Sequence, residues 1–403
     1  METELLHGRH LSKRVNNLNT LAWIARLIAF DTTTRQSNLP LIAEVNDWFS
    51  HHHISTRLTH DATKQKANLF ATLPARDGSI NGGLILSGHT DVVPVDEQVW
   101  ETNPFAATQI DDKIYGRGAC DMKGFIAVVL ALLPEFQQLS LSQPIHFAFS
   151  YDEEIGCIGA PLLIADLQQA GIQPKACIVG EPTDMYPVVA HKGIQVFRCR
   201  IHGQAAHSSL TPQGCNAIDY AAKLIAYLRH VADELRQGGP FDHHFDVPFT
   251  SVSTNMIRGG IARNIIPAEC EFYFEFRYLP WVKPDTIIER IKVYVQNELL
   301  PQMQQEHASA FIEIENTGAV PSFESAKEAV IKQLTYEITG KNDIRKVAYA
   351  TEAGLFQQAN IPTIICGPGN IEQAHRPNEF ITLAQLEKCE AFLRKVVQCP
   401  ISL

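Results

Sequence analysis

The chain has 403 residues, 45% of them hydrophobic and 19% charged, enough to bury a substantial core and to form two domains. With 34 basic against 44 acidic residues its net charge is -10, which argues against a phosphate-backbone partner, so nucleic acid is not an expected ligand. Its nine cysteines include no Cys-x-x-Cys pair, no uncharged apolar stretch approaches the roughly 20 residues that span a bilayer, and no basic-then-apolar leader opens the sequence, so neither a disulfide framework, a thiolate zinc site, a membrane span nor export is expected and a cytoplasmic protein is.

From about residue 17 to 180, helical patterns alternate with short apolar runs, the order a βαβ architecture requires. Helices are predicted over 18–29, 39–51 and 124–136, and strands over 83–87, 145–150 and 175–179. Past Glu181 the pattern changes. A strand over 193–201, a long helix over 216–236, a strand over 272–278, a helix over 284–300 and a strand over 310–314 suit an α+β insertion with helices on one face of an antiparallel sheet. The chain is expected to rejoin the first domain near 317 and to supply that domain's last strand over 361–366. The predicted fold is therefore α/β, with a discontinuous first domain of residues 1–184 and 317–403 and an inserted α+β domain of residues 185–316. The runs 51–53 and 243–244 hold adjacent histidines, whose side chains diverge on a helix or loop, and read as solvent-exposed polar residues.

Four of the apolar runs end in residues that can bind metal. The 83–87 run leads into His89 and Asp91, the 145–150 run into Asp152, Glu153 and Glu154, the 175–179 run into Glu181, and the 361–366 run into a Gly-Pro-Gly turn and His375. In an open α/β sheet, chemistry sits beyond the carboxyl ends of the strands, so these residues converge on one crevice. Imidazole and carboxylate ligands without thiolates suit zinc, cobalt or manganese in an open catalytic site. A set of His89, Asp121, Glu154, Glu181 and His375 serves two metals if one carboxylate bridges, and Asp121 is the candidate because it precedes the 124–136 helix from a loop on the same crevice. Three carboxylates against two divalent cations leave residual positive charge, which acidifies water. Of Glu153 and Glu154, one can bind metal while its neighbour reaches that water as general base. Asp91, two residues from His89, is placed to fix the imidazole tautomer. Beyond the crevice, His207 follows a strand of the insertion and is a candidate oxyanion donor. Asn264 lies in a Gly-rich segment that, with Arg277, offers amide and guanidinium groups to a substrate carboxylate.

Ser87-Gly-His-Thr-Asp-Val-Val-Pro94, Gly116-Arg-Gly-Ala-Cys-Asp-Met-Lys-Gly124, Asp152-Glu-Glu-Ile-Gly156 and Gly180-Glu-Pro-Thr183 resemble the M20 family of dinuclear zinc peptidases and deacylases, in order and over nearly the whole chain. The first twenty or so residues look like an extension. The resemblance implies a catalytic domain with a mixed sheet flanked by helices and an inserted lid or dimerisation domain, hence a homodimer. It implies two divalent metal ions, zinc by preference with cobalt as the alternative. His89 and Glu181 would bind one, Glu154 and His375 the other, Asp121 would bridge, and Glu153 would be the general base. It further implies that His207 reaches the active site of a partner subunit and that Asn264, Arg277 and Thr351 hold substrate. Glu181, where the family varies between aspartate and glutamate, together with segments 191–193, 206–212, 350–356 and 366–379, resembles the deacylase branch. The implied reaction is hydrolysis of N2-acetyl-L-ornithine, a small N-acyl amino acid, with Glu352 expected to meet the δ-ammonium. Relatives with the same motifs take succinylated diamino acids, other N-acyl amino acids or dipeptides. A catalytically silent homologue would keep the fold, but retention of all five ligands with Glu153 argues against it.

Overall fold

The computed structural model describes residues 18–401; residues 1–17, assigned by sequence to the first domain, lie outside the described residues. The chain divides into two compact units. One comprises residues up to Val189 with Ser325–Arg345 and from Thr351 on; the other comprises Ala190–Glu324 with Lys346–Ala350.

The first unit is built on a mixed sheet whose order is Thr56–His60, Ala67–Leu73, Ile145–Ser150, Leu84–His89, Ala176–Pro182 and Thr363–Gly367, with Val188 pairing antiparallel onto the last. Its centre is parallel. Leu84–His89 runs parallel to both Ile145–Ser150 and Ala176–Pro182, and Thr363–Gly367 runs parallel to Ala176–Pro182. All residues of the Leu84–His89 and Ile145–Ser150 strands are buried, the condition of parallel strands covered on both faces, and this is why they read as continuous apolar runs.

Helix Lys123–Phe136 is apolar on nearly every side, as befits an element inside the core, and joins one cluster with Trp23, Phe49, Phe147 and Ile364. Its approach to the sheet is close: a Cβ on Gly180 would meet the Phe125 ring at 2.1 Å. Helix Thr20–Ile28 is capped by the Asn19 side chain, which accepts from the Ala22 amide at 2.9 Å, and helix Leu383–Val396 by Thr382. A small sheet pairs Phe380–Thr382 with Lys113–Tyr115, Phe380 opposite Tyr115, and Lys113–Tyr115 with Thr108–Ile110.

The second unit is an antiparallel sheet of order Ser251–Gly259, Glu269–Tyr278, Gly193–His202 and Phe311–Val320. Alternate residues Phe272, Phe274 and Phe276 are fully buried and pack with Tyr220, Leu224 and Ile288 of helices Ala217–Gly238 and Pro284–Tyr294. This is the period-two pattern of a sheet covered on one face.

Several boundaries differ from expectation: the second unit begins at Ala190 rather than 185 and also takes in Lys346–Ala350. The strand Phe311–Val320 runs straight through 317 because it stays paired with Gly193–His202 as far as Val320 opposite Ile194. The chain leaves the unit only after Phe323, which is fully buried and paired with His191. The helix predicted over 284–300 is interrupted by a π-helical turn at Val295–Leu299 and resumes at Leu300–Glu306. All nine cysteines are free. No helix among the described residues is long and apolar enough to cross a membrane.

Candidate metal centre

The ends of the central parallel strands carry the crevice. His89 closes its strand, and Glu181 sits within Ala176–Pro182, one residue before its end. Opposite His89 in register is Ser150, after which the chain turns at Asp152, whose φ of 54° lies in the left-handed region, and delivers Glu153 and Glu154. The Asp152 carboxylate is tied down by Lys66.

Asp121 lies at the middle of the centre, one oxygen to each imidazole. His89 Nε2 is 3.0 Å from its Oδ1 and His375 Nε2 is 3.4 Å from its Oδ2. His89 Nε2 is also 3.8 Å from Glu181 Oε1, and His375 Nε2 is 2.9 Å from Glu154 Oε2. Candidate ligand atoms of His89, Asp121 and Glu154 lie within 4.8 Å of one another, and so do those of His89, Glu153 and Glu181. Glu153 Oε1 is 3.4 Å from the Cys157 thiol.

The electrostatics follow from burying these groups together. Burial raises the carboxyl pKa of Glu153 and Glu181 well above the usual range and that of Glu154 to about 7, with neighbouring carboxylates adding to each. Burial acts in the same direction on Asp121, but its bonds to His375 and His89 outweigh it and hold the carboxyl below its ordinary value. Burial alone would lower His89; Asp121, Asp91 and Glu181 reverse this and raise it. The bonds from Asp121 and Glu154 lift His375 to about 10. Among the described residues no lysine or arginine pairs with the carboxylates of Asp121, Glu154 or Glu181, so this excess of carboxylate and imidazole, free of thiolates, fits divalent cations.

Asp91 acts differently from expectation. His89 Nδ1 bonds the Asp91 main-chain carbonyl at 3.0 Å, whereas the Asp91 carboxylate stands 3.6 Å away. The carbonyl therefore sets the tautomer and leaves Nε2 facing the centre. The carboxylate accepts the amides of Glu153 and Glu154 instead, each at 3.1 Å, so it fixes the turn that carries both glutamates. Glu352 also differs. It is 1% exposed, its Oε2 accepts from the Ser87 hydroxyl at 3.4 Å, and the Ser150 hydroxyl is a second partner of the carboxylate. Closed off from solvent, it presents no open face to a substrate ammonium. Thr351 is likewise buried, its hydroxyl accepting from the Ala353 amide.

The second unit carries the remaining candidates. His207 is exposed, in a two-residue strand paired with Ile265–Ile266, and Asn264 is beside it, its carbonyl accepting from the Ser208 amide at 3.0 Å. The Ser209 amide donates to His207 Nδ1 at 3.2 Å. The Ser209 hydroxyl lies 2.7 Å from the same nitrogen, so Nδ1 is engaged within the turn. Arg277 is half-buried, with Nε on Glu275 at 2.9 Å and Nη1 near the Ala348 carbonyl. Of the histidines of 51–53 and 243–244, His52 Nδ1 bonds Gln137 and His244 bonds Asp242.

Sequence reasoning missed Glu379 and Arg117. They form a buried ion pair at 2.9 Å beside the loop that carries Asp121. Both lie in motifs picked out for other residues, and only their pairing across 262 positions reveals them.

The pattern of Peptidase family M20/M25/M40 matches residues 85–398. An acetylornithine deacetylase of Pasteurella multocida is 35% identical over 90% of this chain and 91% of its own. Among solved structures, aminopeptidase PepT from Bacillus cereus superposes with a TM-score of 0.73 at 20% identity, over 94% of this chain and 97% of that one. A Bacillus subtilis protein described as a dinuclear metal binding peptidase from the M20 family has a TM-score of 0.65 at 16% identity, over 94% and 96% of the two chains. Both share the fold.

Proposed function

The chain belongs to peptidase family M20, metal-dependent hydrolases of amide bonds, and on that premise we propose that it hydrolyses N2-acetyl-L-ornithine to acetate and L-ornithine. The observation that carries the reading is Asp121 standing between two imidazoles, each backed by a further carboxylate, with Glu153 beside them. Relatives named acetylornithine deacetylase, 33% and 35% identical over about nine-tenths of the chain, support the substrate.

In this reading His89 and Glu181 would hold one ion, Glu154 and His375 the other, and Asp121 would serve both. Zinc suits the donors and cobalt would serve. When bound, two such ions acidify water and polarise the amide carbonyl. Glu153 takes the proton from the attacking water and passes it to the amide nitrogen as the C–N bond breaks, giving acetate and a free amine. Its high proton affinity, set by burial, suits a group that must accept and then release a proton. The Nε2–H of His207 donates to the oxygen of the tetrahedral intermediate, delivered from a second copy of the chain through the inserted unit, which would act as lid and dimerisation domain. Arg277 and Asn264 bind the substrate carboxylate.

The test is release of ornithine from N2-acetyl-L-ornithine by chelator-stripped protein titrated with zinc or cobalt, beside succinyl-diaminopimelate and acetylmethionine. Metal-restored preference for acetylornithine is the expected result. Metal-restored turnover of another amide would overturn the substrate while keeping the reaction class, and no turnover of any would overturn the proposal.

A further inference from the structure

Glu379 receives four donors on one buried carboxylate. Its Oε1 accepts the amides of Cys120 at 2.8 Å and Asp121 at 3.0 Å, and its Oε2 accepts the Gly118 amide and the Arg117 guanidinium, each at 2.9 Å. The pairing of Phe380 opposite Tyr115 hands Glu379 to this loop, and its own carbonyl accepts the Gly116 amide at 3.0 Å. The loop is tight. Gly118 has φ +80°, and a Cβ there would meet Val92 at 2.7 Å, so the amides have little freedom to turn elsewhere.

Arg117 extends the network to His375. It donates to Gln98 Oε1 at 2.6 Å and to the Arg376 carbonyl at 3.3 Å, while Gln98 Nε2 donates to the His375 carbonyl at 3.0 Å. His375 has φ +63°, a conformation a non-glycine residue keeps only when its surroundings hold it. Every donor and acceptor here is accounted for except Arg117 Nε.

We propose that Glu379, Arg117 and Gln98 form a clamp of positioning residues that sets the spacing between Asp121 and His375 and so tunes the ion those two share with Glu154. The ion assigned to His89 and Glu181 depends on residues held by the sheet and by Asp91, so it feels the clamp only through Asp121. The inference rests on the ligand assignment above.

Two variants test it. In Glu379→Gln an amide NH2 faces hydrogen-bond donors whichever way it turns, so the carboxylate cannot be replaced conservatively. In Gln98→Ala only the half-exposed outer link is cut, and the loop's buried acceptor remains. Zinc affinity is measured for each ion by calorimetry with competing chelator, with bound zinc per chain counted by atomic emission and the Tm of the stripped protein recorded. The expected result is a loss of about 10- to 100-fold in affinity for one ion, the range for residues that orient ligands, with the other ion changed far less, and His375→Ala removing the same ion. Wild-type affinities at both ions in Gln98→Ala would overturn the clamp, and so would equal weakening of both ions in either variant. Should Glu379→Gln fail to fold, Gln98→Ala decides alone. Wild-type protein that binds fewer than two ions would instead overturn the ligand assignment on which the clamp rests.

Discussion

Loading the centre with metal must expel protons, because all of the proposed ligands except Asp121 hold protons more tightly than usual in the folded chain. His375 is lifted to about 10 by Asp121 and Glu154, and Glu154 to about 7 by burial. At pH 7 the first therefore holds essentially one proton and the second about half of one. His89 and Glu181, both raised well above their ordinary values, add to this. At least about one and a half protons should leave as both ions bind near pH 7, so the product of the two association constants should rise at least about 30-fold per pH unit. Calorimetric titration of stripped protein with zinc in buffers of different ionisation enthalpy counts those protons directly. A count near zero, with affinities flat between about pH 6.5 and 8.5, would refute the reasoning. The stripped protein gives a second readout. Glu154 and His375 both bind protons more tightly folded than unfolded, so the folded state gains on protonation and stability falls as pH rises, between the ordinary carboxyl value and about 7 for Glu154 and from about 6.5 to about 10 for His375. Its Tm should therefore fall from mildly acidic to alkaline pH.

Glu153→Gln should bind two ions per chain yet lose about 10²- to 10⁴-fold in kcat, and loss of an ion would mark Glu153 as a ligand. His207→Ala should lower kcat more than it raises KM, since its contact is made in the transition state. Mixing those chains with Glu153→Gln chains should restore up to one working site if His207 acts on a partner, and an inactive mixture would count against it. Glu352→Gln should leave the preference for acetylornithine over acetylmethionine unchanged, because Glu352 is closed to solvent; a selective rise in KM for acetylornithine would restore its role at the ammonium. Gly180→Ala forces a Cβ against the buried Phe125 ring and should cost about 1–3 kcal/mol by overpacking, read from denaturant unfolding; an unchanged midpoint would show that the helix can retreat.

Apart from Asp121, which lies on a loop, the residues of the centre were legible in the linear chain because each follows an apolar run buried on both faces, and such runs read as strands without knowledge of their neighbours. His89, Glu153, Glu154, Glu181 and His375 follow from the four parallel strands and the rule that chemistry collects at their carboxyl ends. Two edge strands were not legible. Thr56–His60 and Ser251–Gly259 are largely exposed, so their composition carries little apolar pattern and only pairing defines them. Sequence determined which chemical groups are available and roughly which elements carry them, since periodicity and turn residues are local properties. Tertiary structure alone decided how polar groups share their bonds. Asp91 gives its carbonyl to His89 and its carboxylate to two amides, Glu352 turns inward to Ser87, and Glu379 crosses from one small sheet to hold the loop of Asp121. Those choices depend on which donors are left unpaired when distant segments pack together, and no local pattern records that.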